Sequence, residues 1–327
     1  MRVAVTASPV MAQSGSGGMT TLNLSFMHHV EQAEYVRKFN YWEHRLEDFD
    51  IVHHFGLGNE NLPWFRKVKE HGLKLMVTPM WWGESFRKFV ASRVPVQNTH
   101  RNIREMLQLT DMLLPNSQGE LCGLAATYGV GEYQIVPCAV DDTLLDHSRY
   151  KMSGFPAYLP AYTYALCLGR FDPRQKNQMA LVRACPKTEI LFVGPIGDGR
   201  YYNECYNART LGWHTFCHDV THTSAINLIS RASVVIIPSL YEYPSLVAME
   251  ALTLGVNVAI TTGGSTQEVF GDTVEYLNPR SEVSIHKAVH RALDRPPPLA
   301  IGKDRFTWSK SAGPLLNRAV RRINGTD

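Results

Sequence analysis

Short apolar runs recur along the chain at 3–7, 51–52 with its flanks, 73–77, 112–114, 135–136, 164–168, 190–193, 234–237 and 256–260. Most are rich in Val, Ile or Leu and bounded by Gly, Pro, Asn or Ser, and each is followed by a loop and a longer mixed segment. Runs of this kind predict strands buried on both faces. The segments between them have helical spacing and charged faces. The alternation predicts an α/β chain of parallel sheets joined by crossover helices.

Residues 141–162 break the rhythm. They carry Asp-Asp, Ser-Gly, two prolines and several tyrosines with no period, and read as a linker. The expected division is therefore a first domain at 1–145, a linker at 146–162, a second domain at 163–305 and a closing helix at 306–327. Pro296, Pro297 and Pro298 end the second alternating pattern. Leu315, Leu316, Ala319, Val320 and Ile323 give the last segment its helical spacing. A length of 327 residues agrees with two domains.

Composition narrows the function classes. Apolar residues make up 44% of the chain and charged residues 19%, which excludes disorder and long coiled coil. The net charge is +3, too weak a field to call for nucleic acid. The first 150 residues carry −2 and the remainder +5, so the basic excess lies in the second domain. An anionic ligand there and an ordinary solvated surface both account for it. No apolar run approaches the ~20 residues of a membrane-spanning helix, and the run after Arg2 is shorter than a secretory leader's core of about 7. A cytoplasmic protein is expected. The six cysteines form no CxxC pair, so they read as core thiols and not as a zinc site.

Four segments carry chemistry. In Ser239–Gly255, a strand ends, Glu242 lies in the loop, Pro244 suits a helix's first turn, and an almost wholly apolar helix follows. Glu250 interrupts that helix. A buried carboxylate needs donors, and sugar hydroxyls supply them as well as a backbone cap or an arginine would. In Ile260–Asp272, Gly263 and Gly264 precede a helix start. They suit close approach of a ligand to the backbone or a plain turn. In Cys167–Ala184, Arg170, Arg174 and Lys176 sit in a loop after a strand, where cations match a diphosphate. In Gln13–Leu24, a glycine-rich loop contains Gly17 and Gly18. Thr20 stands where a dinucleotide fingerprint needs its third glycine, which disfavours a nicotinamide dehydrogenase.

Taken in order, these segments, with Asp111–Leu145, resemble a GT-B glycosyltransferase of the large retaining family four, the glycosyl transferases group 1. The resemblance implies two Rossmann-like domains facing across a cleft, each a parallel sheet with helices on both faces. The donor would be a nucleotide diphosphate-sugar, most simply a UDP- or GDP-sugar, with no other cofactor and no metal. The acceptor would be a glycan, a lipid-linked sugar or a small molecule. Arg170 and Lys176 would hold the donor diphosphate and Glu242 would sit beside the donor sugar, as the catalytic set. Glu250 would bind the ribose, with Arg174 available to share the lysine's role. The backbone of Pro244, Ser245 and Leu246, the Gly263-Gly264 turn, and Gly17 and Gly18 would complete the donor site.

The chain departs from that pattern. Arg170 and Lys176 are separated by five residues where four are usual. Many relatives carry a His near the end of the third strand of the first domain; here the region reads Thr78-Pro79-Met80-Trp81-Trp82. His53 and His54 either face the cleft or are structural. Trp81 and Trp82 suit an acceptor sugar or the core. The basic stretch from Phe86 to Arg104 reads as a solvated face or as a peripheral contact with an anionic membrane. These departures leave two alternatives open, a degenerate subunit that binds sugar nucleotides without turnover and a GT-B nucleotide-sugar epimerase.

Overall fold

Residues 1–7, 35–81, 99–146, 164–185, 187–218, 220–243, 245–296 and 304–326 are described by the computed structural model. They divide into two units, one of residues 1–139 with 307–327 and one of residues 140–306.

The first unit is a five-stranded parallel sheet: β1 (Arg2–Ala7), β2 (Tyr35–Lys38), β3 (Ile51–Phe55), β4 (Lys74–Thr78) and β5 (Met112–Leu113). The strand order is β2-β1-β3-β4-β5. Its helices are α1 (Leu62–Glu70), α2 (Thr99–Leu109) and α3 (Gln118–Tyr128). Val52, Leu75 and Val77 pack with Phe65, Val68 and Met106 in one core. The neighbouring strand residues Ile51, His53 and Met76 are buried as well. Full burial of each such aliphatic side chain contributes about 1.5–3 kcal/mol. Residues 135–136, expected as a strand, form no ladder of their own. An isolated bridge joins Leu113 to Tyr133, and Val136 N–H reaches the Pro115 carbonyl.

The second unit is a six-stranded parallel sheet: β6 (Ala165–Leu168), β7 (Ile190–Val193), β8 (His214–Cys217), β9 (Val234–Ile237), β10 (Asn257–Thr261) and β11 (Glu275–Leu277). Its helices are α4 (Gln178–Ala184), α5 (Gly199–Asn207), α6 (His222–Arg231), α7 (Leu246–Thr253), α8 (Thr266–Phe270) and α9 (Glu282–Asp294). The order is β11-β10-β9-β6-β7-β8. The chain fills the sheet in one direction from β6 to β8, then restarts beside β6 with β9 and fills the other side. The direction of winding therefore reverses between β6 and β9. Crevices at such switch points, at the carboxyl ends of the strands, are where open α/β sheets bind ligands.

The last helix, α10 (Gly313–Ile323), belongs to the first unit. A π-helical turn, Trp308–Ala312, leads into it. Arg322 anchors its end to the Glu132 carboxylate at 2.6 Å and the Tyr133 carbonyl at 3.0 Å. The cysteines are free. Cys122 is exposed and the other five are buried, where desolvation raises the Cys167 thiol to about 12. Among the described residues no helix is long and apolar enough to cross a membrane.

Candidate functional site

The loops leaving β6 and β9 meet at the switch point of the second sheet. The first, residues 169–177, turns on Asp172, whose side chain accepts the Arg174 N–H at 2.9 Å and whose carbonyl accepts the Lys176 N–H at 2.9 Å. Asn177 closes it in the left-handed conformation, with φ of 54°. Its amide donates to the Pro238 and Pro279 carbonyls at 3.0 and 2.8 Å. Leu240 N–H donates to the Gln175 carbonyl at 2.7 Å. The loop is thus tied to the ends of β9 and β11 and presents its cations from a fixed backbone.

Lys176 Nζ lies 2.7 Å from Glu242 Oε1, and Ser239 Oγ donates to the same oxygen at 2.6 Å. Glu242 is only 3% exposed. A carboxylate so desolvated needs a counter-charge and donors, and these two residues supply them on Oε1. Among the described residues Oε2 receives no donor. The backbone of Glu242 is held too: its N–H donates to the Gly263 carbonyl and its carbonyl accepts the Ser265 N–H, both at 3.1 Å.

This pairing explains the two glycines. A Cβ on Gly264 would collide with the Glu242 carbonyl, and one on Gly263 with the Leu240 carbonyl. The close approach they permit is of backbone to backbone, and it seats Glu242.

Arg170 is exposed at the mouth of the same loop and makes no hydrogen bond through its side chain among the described residues. Arg174 turns the other way. Its guanidinium pairs with Asp172 at 3.2 Å and is 87% exposed, so the structure brings Lys176, not Arg174, to Glu242. Ser245 stands at the N-cap of α7 without a side-chain bond to its first turn, and Leu246 opens that helix. Glu250 lies on the buried face of α7. Oε1 accepts from His222 Nε2, on the first turn of α6, at 3.0 Å. Gly17, Gly18, Pro244, Trp82 and the basic stretch up to residue 98 lie outside the described residues.

In the first unit, His53 Nε2 bonds Thr78 Oγ1 and His54 Nδ1 bonds Thr6 Oγ1, each at 2.8 Å within the sheet. Burial lowers both, His54 to about 3. They are neutral structural residues. The loop after β4 is organised by Glu120 of α3. This carboxylate accepts Trp81 N–H at 2.6 Å, Asn116 N–H at 2.6 Å and the Asn116 amide at 3.0 Å. Burial outweighs those donors and raises Glu120 to about 7. Trp81 packs over Gly123, where a Cβ would lie 2.6 Å from its ring, and edge-on to Tyr128. Trp81 is a packing residue.

Ser239, Asn177, His222 and Glu120 were not singled out by the sequence as site residues. Ser239 had a signal in opening the segment that carries Glu242, and Asn177 in its place beside Lys176 at the start of a helix. Among the described residues, no group of three or more His, Cys, Asp or Glu side chains is placed to hold a metal ion.

Two parallel α/β units, the second with a loop carrying Arg170 and Lys176 at its switch point, define the class. Residues 160–310, most of the second unit, match the glycosyl transferases group 1 family. Over 128 residues the chain is 32% identical to an uncharacterized glycosyltransferase of Methanocaldococcus jannaschii. That match covers 36% of this chain and spans about a third, 33%, of the relative. Sucrose-phosphate synthase from Thermosynechococcus elongatus superposes over 100% of both chains, with a TM-score of 0.76 at 16% identity. An α,α-trehalose-phosphate synthase (UDP-forming) from Burkholderia xenovorans, in complex with glucose-6-phosphate, covers 84% of this chain and 72% of its own. Its TM-score is 0.66 at 14% identity. The fold is that of the GT-B glycosyltransferases, and the expected fold class and family resemblance are borne out.

Proposed function

We propose that this protein transfers a sugar from a nucleotide diphosphate-sugar to a hydroxyl acceptor, with retention at the anomeric carbon and without a metal. The observation that carries this reading is the pairing of Lys176 with the buried Glu242 at the switch point of the second sheet, with Arg170 exposed on the same loop as Lys176. The donor diphosphate lies along the loop from Gly169 to Asn177 and against the first turn of α7. As the sugar–phosphate bond breaks, charge grows on the diphosphate. Lys176, Arg170 and the helix N–H groups stabilise it from fixed positions. Glu242 keeps Oε2 for a hydroxyl of the donor sugar, and Glu250 accepts from the ribose hydroxyls. Gly263 and Gly264 act indirectly, by seating Glu242, and Arg174 stiffens the loop through Asp172. The acceptor attacks on the face the diphosphate leaves. His53 and His54 take no part.

The test is thermal stability against UDP-, GDP- and ADP-sugars for the wild type and Glu250→Ala. A ligand at 100 times its Kd stabilises the folded state by about 2.7 kcal/mol. The expected result is one nucleotide that raises the midpoint of the wild type and not of the variant. No shift with any of them, on folded protein, overturns the reading.

A further inference from the structure

We infer that His222 is a positioning residue for nucleotide binding: it holds Glu250 by one carboxylate oxygen and leaves the other for the ribose. The inference rests on the donor site proposed above and deepens it. Glu250 is 6% exposed and takes only one hydrogen bond through its side chain among the described residues, from His222 Nε2 to Oε1. An ionised carboxylate accepts about four hydrogen bonds, so this buried group is left short of donors on the side of Oε2. A pair of vicinal hydroxyls supplies what is missing. The His222 side chain is 57% exposed, so it reaches from solvent into the site. Thr221 caps α6 just before it, with Oγ1 accepting Ser224 N–H at 3.1 Å, which fixes where the imidazole starts.

The charge state of His222 then enters binding. The hydrogen bond to Glu250 raises its pKa above the ordinary histidine value, partial burial opposes this, and Asp141, at the cap of the 3-10 turn Asp142–Leu145, adds to the rise. Among the described residues, Glu250 and Asp141 are the charged groups that act on it. While protonated, His222 donates a charge-assisted bond to Glu250 and places a positive charge at the edge of a site for an anionic ligand. Above its pKa that charge is lost. The linked phosphates of a nucleotide diphosphate-sugar do not titrate between about pH 6 and 9, whereas a histidine does. A change in donor affinity across that range therefore belongs to the protein.

The experiment is calorimetric titration of UDP-glucose, GDP-mannose and ADP-glucose at about pH 6 and about pH 8.5. The proteins are the wild type, His222→Gln, His222→Leu and Glu250→Ala, each with its ligand-free unfolding midpoint measured as a folding control. The wild type is expected to lose affinity roughly tenfold from the lower to the higher pH, the size expected for a bond to a charged group. His222→Gln keeps a donor to Glu250 and binds with a flat profile; His222→Leu binds roughly tenfold more weakly than the wild type at the lower pH. Wild-type affinity and pH profile in His222→Leu, with binding lost in Glu250→Ala, overturn the inference and leave the donor site standing. Wild-type affinity in Glu250→Ala, or no binding of any of the three donors, overturns both.

Discussion

Lys176 Nζ sits 2.7 Å from Glu242 Oε1, although the two residues are 66 apart in the chain. The pair closes the loops after β6 and β9 upon each other at the point where the winding of the sheet reverses. Removing one partner leaves the other charge desolvated, which costs about 3 kcal/mol or more for a buried pair. Lys176→Met is therefore expected to lower the free energy of unfolding by about 3 kcal/mol, and Lys176→Met with Glu242→Gln to recover most of it. Donor binding is not recovered in the double variant, because the cation is gone from both. Denaturant unfolding and donor titration of the three proteins check this. A neutral single substitution would mean that solvent compensates Glu242.

Gly264 and Gly255 make a matched comparison. Both have positive φ, 90° and 76°. An added Cβ meets the Glu242 carbonyl at Gly264 and nothing within 4 Å at Gly255. Alanine at 255 costs the left-handed conformation alone, about 1–2 kcal/mol. Alanine at 264 costs that and also displaces the backbone that seats Glu242. Both variants lose stability, but only Gly264→Ala is expected to weaken donor binding. Equal affinities in the two would detach Glu242 from the donor site.

Asn177 separates conformation from anchoring in the same way. Asn177→Gly keeps the left-handed φ and loses the bonds to the Pro238 and Pro279 carbonyls. Asn177→Ala loses both. Glycine is expected to be the milder change by about 1 kcal/mol, with both variants weakening donor binding through a loosened 169–177 loop. Unfolding and binding curves for the pair decide it; donor affinity unchanged in both would show that the anchors serve stability alone.

Acid sensitivity follows from three buried groups of the first unit. Burial depresses His53 and His54, the latter to about 3 from 6.5. The unfolded chain protonates them near 6.5, so their contribution to stability is complete above that pH and is lost as pH falls towards 3. Each gives a slope of about 1.4 kcal/mol per pH unit. Glu120 opposes them. Burial raises it from 4.5 to about 7, so the folded state keeps a proton that the unfolded chain releases, and its effect favours folding as pH falls from 7 to 4.5. Between about pH 6 and 4.5 the net loss in the wild type is about 1.4 kcal/mol per unit; in Glu120→Gln it is about 2.7, because the opposing term is gone. Urea unfolding at several pH values measures both slopes, and equal slopes would show that Glu120 is already ionised well below neutrality.

How much of this was legible in the sequence depends on which physical constraint acted on each residue. A strand enclosed on both faces and both sides must be apolar whatever its neighbours are, so β6, β7, β9 and β10 could be read from their side chains. The strands that escaped, β2, β8 and β11, are the margins of their sheets. One side of each is open, and residues such as Arg37, Lys38, His214 and Glu275 are tolerated there. Arg170, Lys176, Glu242 and Glu250 were legible as chemistry because charge beside a buried strand or inside an apolar helix demands a partner. Which partner was not written locally. Lys176 finds Glu242 because β9 returns beside β6, and Glu250 finds His222 because the start of α6 meets the middle of α7. Gly263-Gly264 carried the same ambiguity, since a dipeptide permits close approach without saying what approaches, and folding assigned it to the backbone of residues 240–242. The sequence by itself determined the alternation, the buried strands and the kinds of charge at the site. The tertiary structure alone decided which charges meet, because that depends on the order of the strands in the sheet, and a strand's own residues specify its burial but not its neighbour.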